Sequence, residues 1–419
     1  MSDTEESVIV LGAGVIGLAC AHYLTEAGFK VTVIDKGRIA GACSSSNCGH
    51  ILPSHILPLN SPDAMRTAVA SLFDRTSPFR VKPRLDPAFL YWMAQFARHC
   101  RTHHIAQAAR ALKALLDSSY EEYETLTADA AFDCEWRKNG LLYLFKSQKS
   151  LDEFGSLNES LSRDYGVEAS AISGKNLQSI EPAAKDDLTG GFLYTEDASL
   201  NPERLGRVWS DALKAKGVDF IEECAFLGLS KIGRRITVLQ TSKGAFQAGH
   251  VVLAAGAMSQ EVSRHFGRRL PVEPGKGYAI TAAKPEHCPE MSIVIPEKSI
   301  AITPFEDTLR VGSMMEFVGF DDRIPDERAE QLRDGANAYL RGRPIASSTE
   351  RWFGWRPMTW DSVPIIGRLP DLDNAYAATG HQMIGVMTAP GTGKLMADII
   401  ANRRPHIAAA PFAPSRFFG

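Results

Sequence analysis

The apolar run Val8–Ile9–Val10–Leu11, breaking into Gly12–Ala13–Gly14–Val15–Ile16–Gly17, constrains the fold of this chain more than any other stretch. It reads as a strand, a tight turn and the first turn of a helix. Gly12 permits the turn, Gly14 lets a pyrophosphate approach the backbone, and Gly17 lets the helix settle closely on the sheet. Leu18, Ala19, Tyr23 and Leu24 form an apolar stripe at helical spacing before Gly28, and Lys30–Val31–Thr32–Val33–Ile34 supplies the next strand. Asp35 follows at the place where an acid takes ribose hydroxyls, and the phosphates belong at the helix N-terminus, where unpaired N–H groups favour an anion. An acid there argues against a 2′-phosphate but does not separate NAD from FAD. The dinucleotide candidates are Gly12, Ala13, Gly14, Val15, Ile16, Gly17, Asp35 and Lys36.

With 419 residues, 44% of them hydrophobic and 23% charged, the chain has the composition of a globular protein and room for two domains. The net charge of −3 and the absence of a long basic stripe exclude a case for nucleic acid; Arg234–Arg235 and Arg268–Arg269 read as solvated surface. Seven cysteines without a Cys-x-x-Cys pair indicate neither a disulfide framework nor a zinc site, and a reducing compartment is expected. The acidic start MSDTEES lacks the basic and apolar regions of a secretory signal, so the mature chain is expected to begin there. No stretch approaches the length of a transmembrane helix. A cytoplasmic protein is expected, with a peripheral contact to the inner membrane left open by this test.

Along the chain, Gly37–Pro58 is polar and punctuated enough to be an active-site loop, and Pro87–Leu126 turns helical. Leu141–Phe145 reads as a buried strand, the segment to Glu181 as helices and turns, and Asn201–Pro202 as a helix start. Val218–Ile221, Ile236–Leu239 and Gly249–Gly256 resume the first sheet. Strand patterns then run from Pro271 to Pro344, with a helix at Glu327–Leu340, before Asn374–Gly380 and a helix at Thr392–Ile400 return to it. The expected division is a discontinuous dinucleotide-binding domain (1–86, 196–270 and 345–419) and a substrate-binding domain (87–195 and 271–344).

Three separated pieces resemble one family, the FAD-dependent glycine/D-amino-acid oxidases. They are Gly12–Asp35 followed by Cys43–Ser44–Ser45–Ser46–Asn47–Cys48–Gly49–His50, the strand and turn Val251–Ser259, and Trp355–Arg356–Pro357–Met358–Thr359–Trp360–Asp361–Ser362–Val363–Pro364–Ile365–Ile366–Gly367 with Thr379–Gly380–His381. The resemblance spans nearly the whole chain. It implies an α/β fold in which a Rossmann-type FAD-binding domain carries an inserted α+β substrate domain. It also implies noncovalent FAD held by the first-turn residues, by Ser44, Ser45, Asn47, Gly49, His50 and Ile51, by Phe226, Ala255 and Gly256, and by Gly380, His381, Gln382, Met383, Ile384 and Gly385. Cys43 and Cys48 depart from the small residues usual at their positions.

The implied reaction is oxidative deamination of an amino acid, either a D-amino acid or a secondary amine such as D-proline or hydroxyproline, by hydride transfer from Cα to flavin. Arg356 would pair with the substrate carboxylate through its rigid fork of donors. Tyr278 is either a donor into the substrate pocket or a core tyrosine with a satisfied hydroxyl, and His50 and His381 are candidate pocket residues. Neither histidine has a companion at metal-ligand spacing, so no metal is expected. Gly391–Thr392–Gly393–Lys394 lacks the remaining residues of a P-loop and reads instead as a glycine turn feeding a helix that faces the flavin pyrimidine ring. Trp352, Phe353, Trp355 and Trp360 read as packing. The electron acceptor stays open between oxygen, a quinone and a partner subunit, and two rivals remain, a nicotinamide-dependent dehydrogenase and a flavin-binding subunit without turnover.

Overall fold

A computed structural model describes residues 6–62, 65–66, 71, 77–345 and 350–418; Met1–Glu5 of the acidic start lie outside them. Six strands form the first sheet, in the order Ile365–Arg368, Ala375–Thr379, His250–Leu253, Ser7–Leu11, Lys30–Ile34, Asp219–Ile221. All pair in parallel except Ile365–Arg368, which returns antiparallel to its neighbour. Because successive side chains of a strand point to opposite faces, an uninterrupted apolar run needs cover on both sides. Val8 and Val10 join one core with Leu18, Trp209 and Leu395, while Ile9 and Leu11 join another with Ile236, Leu239 and Phe266. Helices Val15–Glu26, Pro202–Ala215 and Gly385–Ile400 cover the first face. The second helix starts as its sequence suggests: the Asn201 side chain accepts the N–H groups of Glu203 and Arg204, and Pro202 occupies the first turn.

The other face corrects the reading of Ile236–Leu239 as part of this sheet. Arg235–Thr241 is instead the middle strand of a separate antiparallel sheet with Phe226–Ile232 and Gly244–Gln247. Only Gly233 and Arg234 separate the first two strands, with Gly233 at φ 59°, and so short a link forces a hairpin where a parallel strand would need a long crossover. A strand at Ser170–Ser173, read as turn, pairs with Gly190–Tyr194 and forms the edge of its sheet.

The glycine turn expected at Gly391–Lys394 is also corrected: the last helix begins at Gly385 and runs through it. Pro390 sits inside the helix and cannot donate to the Val386 carbonyl, which accepts the Tyr123 hydroxyl instead, at 2.7 Å. Gly391 and Gly393 are small because neighbouring helices press on them. An added Cβ would meet the Leu115 carbonyl and Ser119 at one position and the Ala19 carbonyl at the other.

A nine-stranded sheet faces this unit, in the order Glu350–Thr359, Val272–Ala283, Thr308–Phe317, Ile300–Pro304, Ser292–Ile295, Leu141–Phe145, Gly190–Tyr194, Ser170–Ser173, with Phe79–Val81 beside Thr308–Phe317. Two placements differ from the division expected at 87 and 345. Strand Glu350–Thr359 pairs within the nine-stranded sheet, and helix Thr102–Thr127 buries Leu115 and Tyr123 in the core of the first sheet. Periodicity shows that a segment is amphipathic but not which body its apolar side covers. Among the described residues all seven cysteines are free, and no helix is long and apolar enough to cross a membrane.

Candidate active site

A cavity of about 820 Å³ lies between the two sheets. Its floor is the carboxyl end of the parallel strands: Leu11–Gly12, Ile34–Asp35, Ala254–Ala255 and Ala378–Thr379 all line it, where ligands of open α/β sheets bind. Gly12 has φ 118° and an added Cβ would overlap the Ala254 carbonyl, so both turn and neighbour demand glycine there. At Gly17 an added Cβ would overlap the Gly12 carbonyl, which is why helix and turn can touch. Asp35 spans the turn, accepting the Ala13 N–H and the Gly37 N–H, each at 2.7 Å, while it also lines the cavity. Ser44 Oγ takes the Val15 N–H at 3.0 Å, so one amide of the first helix is committed to the loop.

The loop after Asp35 folds over this end, and Lys36, Arg38, Ser44, Asn47, Gly49 and His50 line the cavity. Arg310 fastens the loop from the opposite sheet. Its guanidinium donates to the Ser45 carbonyl at 3.3 Å, the Asn47 carbonyl at 3.0 Å and Thr281 Oγ1 at 3.0 Å. Sequence reasoning missed it, because an arginine inside a strand carries no motif.

Opposite the glycines, Gln382, Met383 and Gly385 lead into the last helix, whose N-terminus no side chain caps. Three polar atoms of cavity-lining residues are buried without a partner among the described residues: Trp355 Nε1, His381 Nδ1 and Gln382 Oε1. Trp352, Phe353 and Trp355, read as packing, also line the cavity, whereas Trp360 meets Tyr91 and Phe417 edge to face outside it.

The far wall is one register row of the nine-stranded sheet. Tyr143 pairs with Val294, Val294 with Ala301, Ala301 with Gly312, Gly312 with Ala279, and Ala279 with Trp352. All six line the cavity, and since directly opposed residues share a face, the row is a trough of small residues between two aromatic ends. Arg356 is the one formally charged side chain that this sheet, among the described residues, sends into the cavity. Its Nη1 donates to the Met314 carbonyl at 2.5 Å and its Nη2 reaches the Ser313 carbonyl at 3.5 Å, and no carboxylate of the described residues is in contact with it.

The histidines are neutral at neutral pH. Burial lowers His50 to about 4, although its Nε2 lies 3.4 Å from the Ile302 carbonyl, and burial lowers His381 to about 3 beside Thr392 Oγ1 at 3.0 Å. His55, which the sequence did not single out, joins them on the wall and is likewise lowered by burial. Tyr278 resolves to the second of its readings. Its ring lines the cavity, but its hydroxyl is spent on buried Glu316 at 2.6 Å, and Glu316 in turn pairs with Arg328. Cys43 and Cys48 line the cavity as thiols: burial pushes them up to about 12 and about 11, against the opposing pull of Arg356 on the first and of Arg310 and Arg356 on the second.

Not every expected contact lies on the wall. Gly12, Gly14, Val15, Ile16, Asp35, Lys36, Ser44, Asn47, Gly49, His50, Phe226, Ala255, Gly256, His381, Gln382, Met383 and Gly385 line the cavity. Ala13, Gly17, Ser45, Ile51, Gly380 and Ile384 are not among its lining residues. Ile51 and Ile384 bury their side chains in apolar clusters, and Gly380 turns the chain at φ 74°.

A family model described as FAD dependent oxidoreductase matches residues 7–399. The chain is 31% identical to a D-amino acid dehydrogenase of Agrobacterium fabrum over 421 residues, covering 98% of this chain and 99% of that one. It is 32% identical to a D-amino acid dehydrogenase of Cereibacter sphaeroides over 416 residues, 98% and 95% of the two chains. In fold it is similar to glycine oxidase from Geobacillus kaustophilus, with a TM-score of 0.76 at 21% identity over 98% of this chain and 99% of the other. The L-proline dehydrogenase structure from P. horikoshii gives 0.74 at 20% identity, over 98% and 97%.

Proposed function

The chain belongs to the FAD dependent oxidoreductase family, and on that premise we propose that it oxidises D-amino acids, taking the substrate carboxylate on Arg356. The cavity fits the cofactor on three counts: the Gly12–Gly14 cradle, the uncapped N-terminus at Gly385, and the buried unpartnered atoms of Trp355, His381 and Gln382, which suit a ring rich in carbonyls and N–H groups. When bound, FAD supplies the two-electron oxidant for the Cα–N bond of the amino acid. Asp35 and the loop from Ser44 to His50 would hold its adenosine and ring portions. Attachment is noncovalent in this reading, since the Cys43 and Cys48 thiols stay protonated and poorly nucleophilic.

One observation carries the substrate assignment: a guanidinium without an acidic partner stands on a wall that is otherwise uncharged. A buried cation is stabilised by an anion that arrives with the ligand. The same wall offers no carboxylate for an ammonium group, and His50 and His381 are weak bases at their lowered values, so the amine binds neutral and needs no general base. The trough from Tyr143 to Trp352 favours apolar over charged side chains. Water hydrolyses the imino acid formed to the oxo acid, with release of the nitrogen as ammonia.

The names of the relatives support transfer of electrons to an acceptor other than dioxygen. The test is anaerobic addition of D-alanine, D-phenylalanine and D-glutamate, with their L-enantiomers, to the purified yellow protein. Bleaching by the first two and not by the L-forms is expected, with slow reoxidation by air and fast reoxidation by a soluble quinone. Bound FAD that none of the D-amino acids reduces would overturn the assignment.

A further inference from the structure

The strand Thr308–Phe317 contains a fault that the reaction as described does not require. Against its neighbour Val272–Ala283, Ser313 pairs with Tyr278 and Glu316 with Lys276, so three steps on one strand answer two on the other. The extra residue is a bulge. Ser313 and Met314 take φ 134° and φ 61° to make it, a backbone region that side-chain-bearing residues rarely occupy and that persists only where the surroundings enforce it. The result is that two successive carbonyls, those of Ser313 and Met314, turn toward Arg356, where an unbroken ladder would give them to the next strand.

Gly277 faces the same guanidinium from the adjacent strand. Its φ lies outside the left-handed region, so its backbone would suit any residue. The constraint is one of space: an added Cβ would overlap Cζ, Nη1 and Nη2 of Arg356, so any side chain here would push the guanidinium out of its place.

We propose that Gly277 and the Ser313–Met314 bulge form a socket that fixes Arg356, making them positioning residues for substrate binding; this rests on the reading that Arg356 takes the carboxylate. A guanidinium carries five N–H donors in a rigid plane. The socket spends Nη1 on the Met314 carbonyl and Met315 Sδ, leans Nη2 on Ser313, and leaves Nε and a second Nη2 donor without a partner among the described residues. Those two lie on one edge, the arrangement that meets both oxygens of a carboxylate. Backbone carbonyls serve here better than a carboxylate would, because they orient the group without neutralising it or competing with the substrate.

The test compares Gly277→Ala and Gly277→Val with Arg356→Ala in the holoenzyme. Benzoate, a carboxylate that cannot be oxidised, is titrated calorimetrically, and KM and kcat for D-alanine are measured alongside FAD content and Tm. Gly277→Ala is expected to weaken benzoate and raise KM by about tenfold or more, the loss of one charge-assisted hydrogen bond. Gly277→Val should do so further, with kcat changing less than KM and with FAD content and Tm unchanged. If both glycine variants bind benzoate normally while Arg356→Ala does not, the socket is refuted and the clamp survives. If Arg356→Ala also binds it normally, both fall.

Discussion

Three buried groups, two on the cavity wall and one outside it, titrate far from their ordinary values and bias how the fold responds to acid. Burial holds His50 at about 4 and His381 at about 3, against 6.5 for an exposed imidazole, and burial raises Asp197 from 3.8 to about 7 despite two hydrogen bonds from Ser54. At pH 5 each histidine is neutral when folded and protonated when unfolded, so unfolding takes up about two protons. Asp197 is protonated when folded and ionised when unfolded, so unfolding releases about one. The net uptake from these groups is about one proton, so they contribute a fall in stability of about 1.4 kcal/mol for each pH unit of acidification between pH 6 and pH 4.5. The signs are opposite for the two residue types: the histidine contributions are complete above 6.5 and fade as pH falls toward 4, whereas the Asp197 contribution is complete below 3.8 and fades as pH rises toward 7. His381→Asn should therefore make the slope shallower by about 1.4 kcal/mol per pH unit, and Asp197→Asn should make it steeper by about the same amount. The assay is calorimetric unfolding of FAD-saturated protein from pH 4.5 to 6.5 in buffers of differing ionisation enthalpy, which counts protons directly. An Asp197→Asn protein with the proton uptake of the parent would refute the reasoning, since every other group is common to the two.

Gly12→Ala combines an unfavourable φ with overlap on the Ala254 carbonyl, and purified protein should carry little FAD, read from the ratio of absorbance at the flavin band to that of the protein. Arg310→Met removes the donors that hold the Ser45 and Asn47 carbonyls, so FAD affinity should weaken about tenfold by fluorescence titration while the benzoate affinity of the saturated protein holds. Tyr123→Phe leaves the Val386 carbonyl, already deprived of its helical donor by Pro390, buried and unpaired; a loss of roughly 1–3 kcal/mol is expected by thermal unfolding, with KM unchanged.

The legible parts of this molecule are those whose chemistry is written in consecutive residues. The Gly12–Gly17 turn and Asp35 could be placed because a tight turn, close helix packing and an acid at the next strand end are local requirements, and Gly12 and Asp35 at the strand ends and Gly17 in the first turn of the helix stand where those requirements act. Arg356 came with its motif. The misread parts depend on partners distant in sequence. Gly391 and Gly393 punctuate nothing; they are small because helices Thr102–Thr127 and Val15–Glu26 crowd the last helix, and a reading of local propensity sees only two breakers beside a proline. The row from Tyr143 to Trp352 draws one residue from each of six strands, so no window of sequence contains it.

The bulge is the extreme case. Neither serine nor methionine signals a positive φ, and the slip exists only as a relation between two strands. Its physical rationale appears once charge is followed across the wall. A guanidinium needs directed acceptors to hold one rotamer, yet an acidic neighbour would cancel the attraction that draws in a carboxylate. Two carbonyls freed from the ladder meet both demands, and the strain of presenting them is borne by a strand whose preceding residues, Leu309 to Gly312, are paired on both sides. Regular pairing at Ser313 and Met314 would return those carbonyls to the ladder and leave Arg356 free to swing. Backbone irregularity, glycine clearance and an unneutralised charge are therefore three parts of one arrangement, and each should fail in the same measurable way, through carboxylate affinity before catalytic rate.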